Sequence, residues 1–401
     1  MKKILILGGG YGGLKCAITL QKKLNDKNVE VTLISRHDYH YQTTLLHKVA
    51  VGTYSARKAR MFYRNLLNLK NVKFTKDIIE KIDIKNKKVK GVRFEYDYDY
   101  LVIALGFRVN DFGIKGVYYH SHKLSTLNKA LQIRTNIENN FKDYIFKPNP
   151  LNLSFIVCGS GFTGVEFAAE LAKRVPELCK IRGLDRDLVK IYLIGRGEHI
   201  LPMFDEKLSA LAAEKLTKIG VKIIRGNVIE CMSDGVIIEK PDKSTQKIEG
   251  NITIWTAGVK GNPVIGNSCI TNTKDRVEVN EFLQIPNYPE VFVLGDCAIA
   301  NSRDVKHAPT AQLASQMGEY CGESLIQILK GEKLIKPFIF KNRGTVCSIG
   351  HTDGIGVAFG YKISGEIAAF LKNVIENRWI LSVANLMTVF KKGQFRWRSS
   401  D

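Results

Sequence analysis

Three glycines near the start of the chain, Gly8, Gly10 and Gly13, stand in the spacing GxGxxG directly after the apolar run Ile4-Leu5-Ile6-Leu7. Each glycine meets a separate need: a tight turn, close backbone approach to a pyrophosphate, and close packing of the following helix on the strand. Apolar residues at helical spacing from Leu14 to Leu24 supply that helix, and Tyr11 and Gly12 lie inside the turn. The N–H groups and partial positive charge of a helix N-terminus favour a phosphate. The unit recurs. Phe155-Ile156-Val157-Cys158 precedes Gly159, Gly161 and Gly164, and a second helix is expected from Val165 to Lys173. Two such turns imply two dinucleotides, and the economical chemistry for a pair is hydride transfer between a nicotinamide and a flavin.

The elements that must hold these turns are legible as buried strands. Tyr100–Gly106 ends 98 residues after Gly8, and Ile252–Gly258 ends 99 residues after Gly159, so Gly106 and Gly258 are equivalent points of a duplicated dinucleotide-binding domain. A further strand, Val291–Leu294, runs into Gly295-Asp296. An acid at the C-terminal end of a parallel strand points into the ligand crevice, while the alternative reading of Asp296 is a helix N-cap. The second strand of the first unit ends in Ser35-Arg36, and that of the second unit in Gly195-Arg196.

Composition narrows the partners. At 401 residues, 45% hydrophobic and 25% charged, the chain is neither disordered nor fibrous and suits two or three domains. Sixty Lys+Arg against 39 Asp+Glu leave a net charge of +21, which points to nucleic acid or an acidic lipid surface. The basic residues are spread over the whole chain with no nucleic-acid-binding motif, so no nucleic-acid partner is expected and an anionic membrane surface is. Eight cysteines lack CxxC or zinc spacing, which suits a reduced intracellular chain. His37, His40 and His47 form no metal-ligand pattern, so no metal site is expected and a place in the loop beside the flavin is.

The apolar run at the N-terminus is too short for a signal peptide, and no stretch reaches the ~18–20 apolar residues that cross a bilayer. Apolar residues crowd the segment from Glu366 through Phe390, followed by Lys391, Lys392, Arg396, Trp397 and Arg398. Helices lying in the membrane interface, with Trp379, Trp397 and the cations at the headgroup level, fit that order, and truncation before Glu366 is expected to release the protein. A dimerisation or core helix with a solvated basic tail is the other reading, and homodimerisation stays open.

These residues resemble the two-dinucleotide flavoprotein reductases and, more narrowly, the type II NADH:quinone oxidoreductases. The resemblance rests on GGGYGGL at 8–14, DYHYQTTLL at 38–46, GFTGVEFAAEL at 161–171, WTAGVKGNP at 255–263, GDCA at 295–298, AQLASQ at 311–316 and RGTVCSIG at 343–350. It implies an α/β fold with two Rossmann-like, glutathione-reductase-like domains and a C-terminal membrane-surface helical region. By that resemblance Gly8, Gly10, Tyr11, Gly12, Gly13, Ser35, Arg36, Gly106 and Asp296 would bind FAD. Gly159, Gly161, Gly164, Arg196 and Gly258 would bind NADH or NADPH. Glu166 matches the acid near the two reacting rings, with a carboxylate complementing the helix dipole as the other reading. Gln312 and Gln316, one helical turn apart, match the pocket of a membrane quinone of menaquinone or ubiquinone type. The implied enzyme works peripherally at the cytoplasmic face of the cell membrane, without proton pumping.

The expected division is residues 1–110 and 264–330 for FAD, 111–263 for NAD(P)H, and 331–401 for the membrane-associating region. Two alternatives accompany this reading. Sulfide:quinone oxidation needs a reactive cysteine pair, for which Cys158 and Cys347 are the candidates, although Cys158 in an apolar strand reads as a small buried hydrophobe. A membrane-bound flavoprotein without catalysis is the other. One departure from the family is notable: Glu usually stands where this chain has Gly195. A glycine there removes the repulsion of a 2′-phosphate, and Arg196 supplies a bidentate partner, which favours NADPH. In the competing reading Arg196 faces solvent and Glu198 takes the ribose.

Overall fold

The computed structural model describes residues 1–302 and 305–395; Arg396, Trp397 and Arg398, assigned above to the headgroup level, lie outside the described residues. The chain divides into two compact units. The first comprises Met1–Tyr41, Arg60–Arg108 and Val259–Asn342, and the second Gln42–Ala59, Val109–Gly258 and Arg343–Asp401.

In the first unit the strand Lys2–Leu7 lies between Val29–Ser35 and Tyr100–Ile103, all parallel, with Val72–Lys76 at one edge. On the other side Tyr288–Val293 continues the parallel order and Gln284–Ile285 closes it antiparallel. The central strands are continuously apolar because both faces are covered: Ile4, Ile6, Leu33, Val102 and Phe292 are all buried. Helix Tyr11–Lys23 follows the first strand, and helix Ala311–Leu329 packs along it. A side-chain carbon at Gly318 would strike the Gly12 carbonyl, and one at Gly322 would crowd Thr19, so two glycines a turn apart let the helices approach at backbone distance.

The second unit repeats the plan. Its parallel sheet runs His122–Lys123, Ile252–Trp255, Ser154–Cys158, Lys190–Gly195, Val221–Arg225. The repeat extends to single hydrogen bonds. Gly8 N–H donates to Ile34 O at 2.8 Å and Gly159 N–H to Ile194 O at 2.8 Å; Ala104 N–H donates to Leu7 O and Thr256 N–H to Cys158 O, again both at 2.8 Å. Two chains of equal register built this way account for the matched intervals in the sequence.

Local lengths differ from expectation in one informative place. The helix expected to end at Lys173 runs from Phe162 to Arg182, across Pro176. Burial of Val175, Leu178 and Cys179 beyond the expected end outweighs the bond lost at proline, and Gly183, in the left-handed region at φ 64°, ends the helix.

The contact division also differs from the repeat-based one. Helix Leu46–Val51 packs on helices Leu127–Phe146 and Phe162–Arg182, which draws residues 42–59 into the second unit. After residue 342 the chain forms an antiparallel sheet of Gly344–Ser348, Gly354–Ala358 and Tyr361–Ser364, then helix Gly365–Val383 packed on it. The expected C-terminal helical region is present, but this sheet and helix are part of the second unit's core. Among the described residues no helix is long and apolar enough to cross a membrane.

Candidate functional site

The two glycine turns have the same construction. Gly8 (φ 102°) and Gly159 (φ 118°) adopt backbone conformations that favour glycine. A side-chain carbon at Gly13 would collide with the Gly8 carbonyl, and one at Gly164 with the Gly159 carbonyl. Gly10 and Gly161 are the N-caps of their helices; neither end carries a side-chain cap, and the space beside each glycine is open. Each helix thus begins without a side-chain cap, beside room for a ligand. An anionic diphosphate fits both turns.

The first turn is braced from outside. The Gly9 carbonyl accepts from the Tyr63 hydroxyl at 2.7 Å and lies 3.0 Å from His40 Nδ1, while His40 packs edge-on against Tyr11. Ser35 ends the second strand, and Arg36 beyond it is exposed. Gly106 (φ 76°) has open space where a side chain would stand. Asp296 lies within the single turn Gly295–Cys297 whose N-cap is Leu294, so the N-cap reading of Asp296 is corrected. Burial pushes its carboxyl above the ordinary range, opposed by the Arg276 guanidinium.

Gln312 and Gln316 both lie half-buried on helix Ala311–Leu329, which Thr310 caps by accepting from Leu313 N–H at 3.1 Å. The start of this helix rests on the first glycine turn, since a side-chain carbon at Gly12 would sit 3.3 Å from the Ala314 carbonyl. Gln316 has its amide in use: Nε2 donates to Lys341 O at 2.9 Å, and Oε1 accepts from Lys341 N–H at 3.0 Å. In this arrangement Gln316 braces a backbone segment.

In the second unit Gly258 (φ 77°) is packed against Phe112, and Gly195 ends the second strand against Ser160, whose hydroxyl occupies the space a residue-195 side chain would need. Arg196 and Glu198 are both exposed.

Glu166 proves to be the centre of a buried polar cluster. It lies beyond the first turn of its helix and only 5% exposed, so the helix-dipole reading is corrected. Its Oε1 accepts from Ser348 N–H and Ser348 Oγ, each at 3.0 Å, and from Lys372 Nζ at 2.9 Å; Oε2 lies 3.8 Å from His47 Nδ1. Lys372 Nζ is also 3.9 Å from Glu376, whose Oε2 accepts from Gln42 at 3.0 Å and Thr44 at 2.7 Å. Desolvation raises the Glu166 carboxyl, but Lys372, His47 and the Ser348 hydrogen bonds prevail and hold it at about 2. Burial pushes Lys372 down while Glu166 and Glu376 raise it, and the net shift is upward. The sequence reading missed Lys372 and Glu376, although a lysine and a glutamate at i and i+4 in a mainly apolar segment were a signal for a buried pair.

Trp379, expected at the headgroup level, is instead buried at 8% exposure, packed on the inner side of helix Gly365–Val383. The eight cysteines are all free. Cys158 packs in an apolar cluster with Cys231, Val236, Ile238 and Trp255, whereas Cys347 lies among Glu166 and Lys372. Burial pushes both thiols well up, opposite to the thiolate a reactive pair needs. Among the described residues no group of His, Cys, Asp or Glu is arranged to hold a metal ion.

Burial holds both His40 and His47 at about 4, below the ordinary 6.5. The unfolded chain therefore binds protons that the folded chain refuses, and stability is full above 6.5 and lost as pH falls toward 4. The denaturant midpoint is expected to fall between pH of about 7.5 and about 5, with a shallower slope in His47→Gln. A midpoint that stays level or rises on acidification would contradict this linkage.

Residues 2–318 match the pyridine nucleotide-disulphide oxidoreductase family. The type II NADH:quinone oxidoreductase of Staphylococcus saprophyticus is 36% identical over 398 residues, covering 98% of this chain and 99% of that protein. The corresponding protein of Staphylococcus aureus is 37% identical over 399 residues, with coverage of 98% and 99%. Among solved structures, NDH2 from Plasmodium falciparum in complex with NADH superposes with a TM-score of 0.88 at 21% identity, covering 98% of this chain and 97% of that one. The sulfide:quinone oxidoreductase of Aquifex aeolicus reaches 0.78 at 21% identity, with coverage of 98% and 96%. The two solved structures share the fold; the staphylococcal proteins, matched nearly end to end, decide the family. This chain belongs to the type II NADH:quinone oxidoreductases, within the pyridine nucleotide-disulphide oxidoreductase family.

Proposed function

We propose that this chain oxidises NADH or NADPH by hydride transfer through a bound FAD and passes two electrons to a membrane quinone, without proton pumping. The observation that carries the reading is the pair of equivalent glycine turns, each fitted to a diphosphate, in a chain matched end to end by type II NADH:quinone oxidoreductases. FAD, when bound, supplies a carrier that takes up a hydride and gives up electrons. Gly8, Gly10, Tyr11, Gly12 and Gly13 would cradle its diphosphate, with Ser35, Arg36, Gly106 and Asp296 around it. Gly159, Gly161, Gly164, Arg196 and Gly258 would hold the nicotinamide dinucleotide. Glu166 would hold a negative charge near the chemistry, kept ionised by Lys372. Gln312 would meet the quinone, with Gln316 positioning the segment around Lys341. The functional domains follow the two glycine turns, FAD with the first and nicotinamide with the second. Sulfide oxidation is disfavoured by the inert surroundings of Cys158 and Cys347. In detergent, anaerobic NADH is expected to bleach the flavin absorbance and added quinone to restore it, while sulfide does neither. A flavin that NADH leaves unbleached would sink the assignment.

Coenzyme choice turns on residues 160, 195 and 196. Ser160 fills the space that an acid at 195 would need, so the carboxylate that selects NADH cannot be accommodated without moving Ser160. Exposed Arg196 beside the strand end is free of that repulsion and suits a 2′-phosphate. We expect kcat/KM for NADPH to rival or exceed that for NADH, and Arg196→Ala to lower the NADPH value by roughly tenfold while sparing NADH. A strong NADH preference unchanged in Arg196→Ala would rule this out.

Attachment to the cytoplasmic face of the membrane would use the outer side of the C-terminal helices. Ile367, Phe370 and Leu381 are exposed on helix Gly365–Val383, and Leu386, Met387 and Phe390 on helix Leu386–Lys392, with Lys391 exposed beside them. An apolar patch bordered by cations suits an anionic lipid surface. Truncation before Glu366 is not the test, because it removes Lys372 and Glu376 from the buried cluster. Phe370→Ser combined with Phe390→Ser should instead lower binding to anionic vesicles with stability retained, and salt should weaken the remainder. Vesicle binding unaltered by this pair would refute the surface.

A further inference from the structure

In each glycine turn one backbone carbonyl is committed to the protein interior, and the two turns reach that state by unrelated means. The carbonyl belongs to the residue before the helix N-cap, Gly9 in the first unit and Ser160 in the second. Gly9 O accepts from the Tyr63 hydroxyl at 2.7 Å and lies 3.0 Å from His40 Nδ1. Gly9, Tyr63 and His40 are all buried, whereas Gly10, the next residue, is exposed. Ser160 O accepts from Leu201 N–H at 2.8 Å, and Gly161 beyond it is exposed. Leu201 makes that bond at φ 50°, in the left-handed region that a leucine seldom adopts. Unlike donors on equivalent carbonyls point to a requirement of the turn itself.

The requirement follows from the planarity of the peptide. In a trans unit the carbonyl oxygen and the N–H of the following residue point opposite ways. With Gly9 O drawn inward, the Gly10 N–H is turned away from the interior, at an N-cap where a side-chain carbon would meet nothing within 4 Å. The same peptide rotated by half a turn would present its carbonyl oxygen to an anion and repel it. Three successive glycines, Gly8, Gly9 and Gly10, leave that rotation sterically easy, so something outside the backbone must hold the plane. Tyr63 and His40 do so. Burial pushes the Tyr63 hydroxyl well up and holds His40 at about 4, so neither donor is lost near neutral pH. Ser35 hydrogen-bonds to the Tyr63 hydroxyl, and a chain of such bonds polarises each member. A side-chain carbon at Gly9 would strike the Tyr63 hydroxyl and ring, which ties the middle glycine to this contact.

We propose that Tyr63 and His40 are positioning residues for the FAD diphosphate, acting through the Gly9–Gly10 peptide, and that the Leu201 backbone holds the equivalent peptide for the nicotinamide dinucleotide. The inference rests on the functional reading above, which puts a diphosphate at each turn. Both side chains are buried, and they act on the ligand only through the direction of the Gly10 N–H. The first turn thus depends on two side chains outside the glycine motif, and the second on a backbone donor. Side-chain substitutions at 40 and 63 therefore reach one turn and leave the other intact.

The test uses the full-length protein with FAD, in detergent. Tyr63→Phe keeps the ring packed on Phe74 and removes one donor; combined with His40→Leu it removes both. FAD affinity is read from the fluorescence of flavin released on dilution. The single variant is expected to weaken FAD binding by about fivefold to tenfold, and the double variant further. Phosphorus NMR resonances of the bound diphosphate should shift in both variants, a change that a loosened turn with its peptide correctly oriented would not produce. KM for NADH at saturating FAD should be unchanged, because Leu201 still holds the second turn. If the double variant fails to fold, Tyr63→Phe decides alone. Unchanged FAD affinity overturns the inference, as does a fall in affinity with the phosphorus resonances unshifted, or an equal loss for FAD and NADH. A wild type that binds FAD but is not bleached by NADH fails the functional reading alone, and FAD affinity still decides the clamp. A wild type that takes up no FAD overturns both.

Discussion

A single ion pair, Lys372 with Glu166, ties together parts of the second unit that are far apart along the chain. The carboxylate comes from the helix after the second glycine turn, and the ammonium from the C-terminal helix. Ser348 reaches the same oxygen from the strand between them, and His47 approaches the other from a segment near the N-terminus. Removing one partner of such a pair leaves an uncompensated buried charge, at a cost of about 3–5 kcal/mol. The cluster therefore specifies where these segments meet more than it adds to stability. Glu376 extends it, held by Gln42 and Thr44, so every charged member has a partner of opposite charge or a hydrogen-bond donor.

The glycine turns obey a different constraint, a steric one. A helix can begin against the end of its strand only if no side chain intervenes, and Gly13 and Gly164 meet that condition against Gly8 and Gly159. Once that contact is made, the helix starts at the strand end without a side-chain cap, and the backbone itself offers a place suited to an anion. The same requirement met twice produces two sheets of the same order. Their surroundings then diverge: Tyr63 and His40 brace the first turn, while Ser160 crowds the strand end beside the second.

The C-terminal helix serves two solvents at once. Its inner side carries Lys372, Glu376 and Trp379 into the second unit, and its outer side leaves Ile367, Phe370 and Leu381 exposed. A helix apolar on both sides but charged at two inner positions satisfies neither a simple core helix nor a simple surface one. This explains why Trp379, at the start of an uncharged stretch, packs inward.

The sequence by itself determined the turns, the central strands and the order of the repeat. Those features depend on short-range sterics and on local hydrogen bonds, which residue type and spacing express directly. Gly8, Gly10 and Gly13 announced a ligand turn, and Gly159, Gly161 and Gly164 announced the second. The tertiary structure decided what long-range contact alone can decide. It brought Lys372, His47 and Ser348 to Glu166, took Cys158 away from reactive chemistry, engaged the Gln316 amide with the Lys341 backbone, and buried Glu170 beside a cleft with His351 Nδ1 3.9 Å away. Burial sets the protonation of such groups, and burial depends on neighbours that no local pattern names.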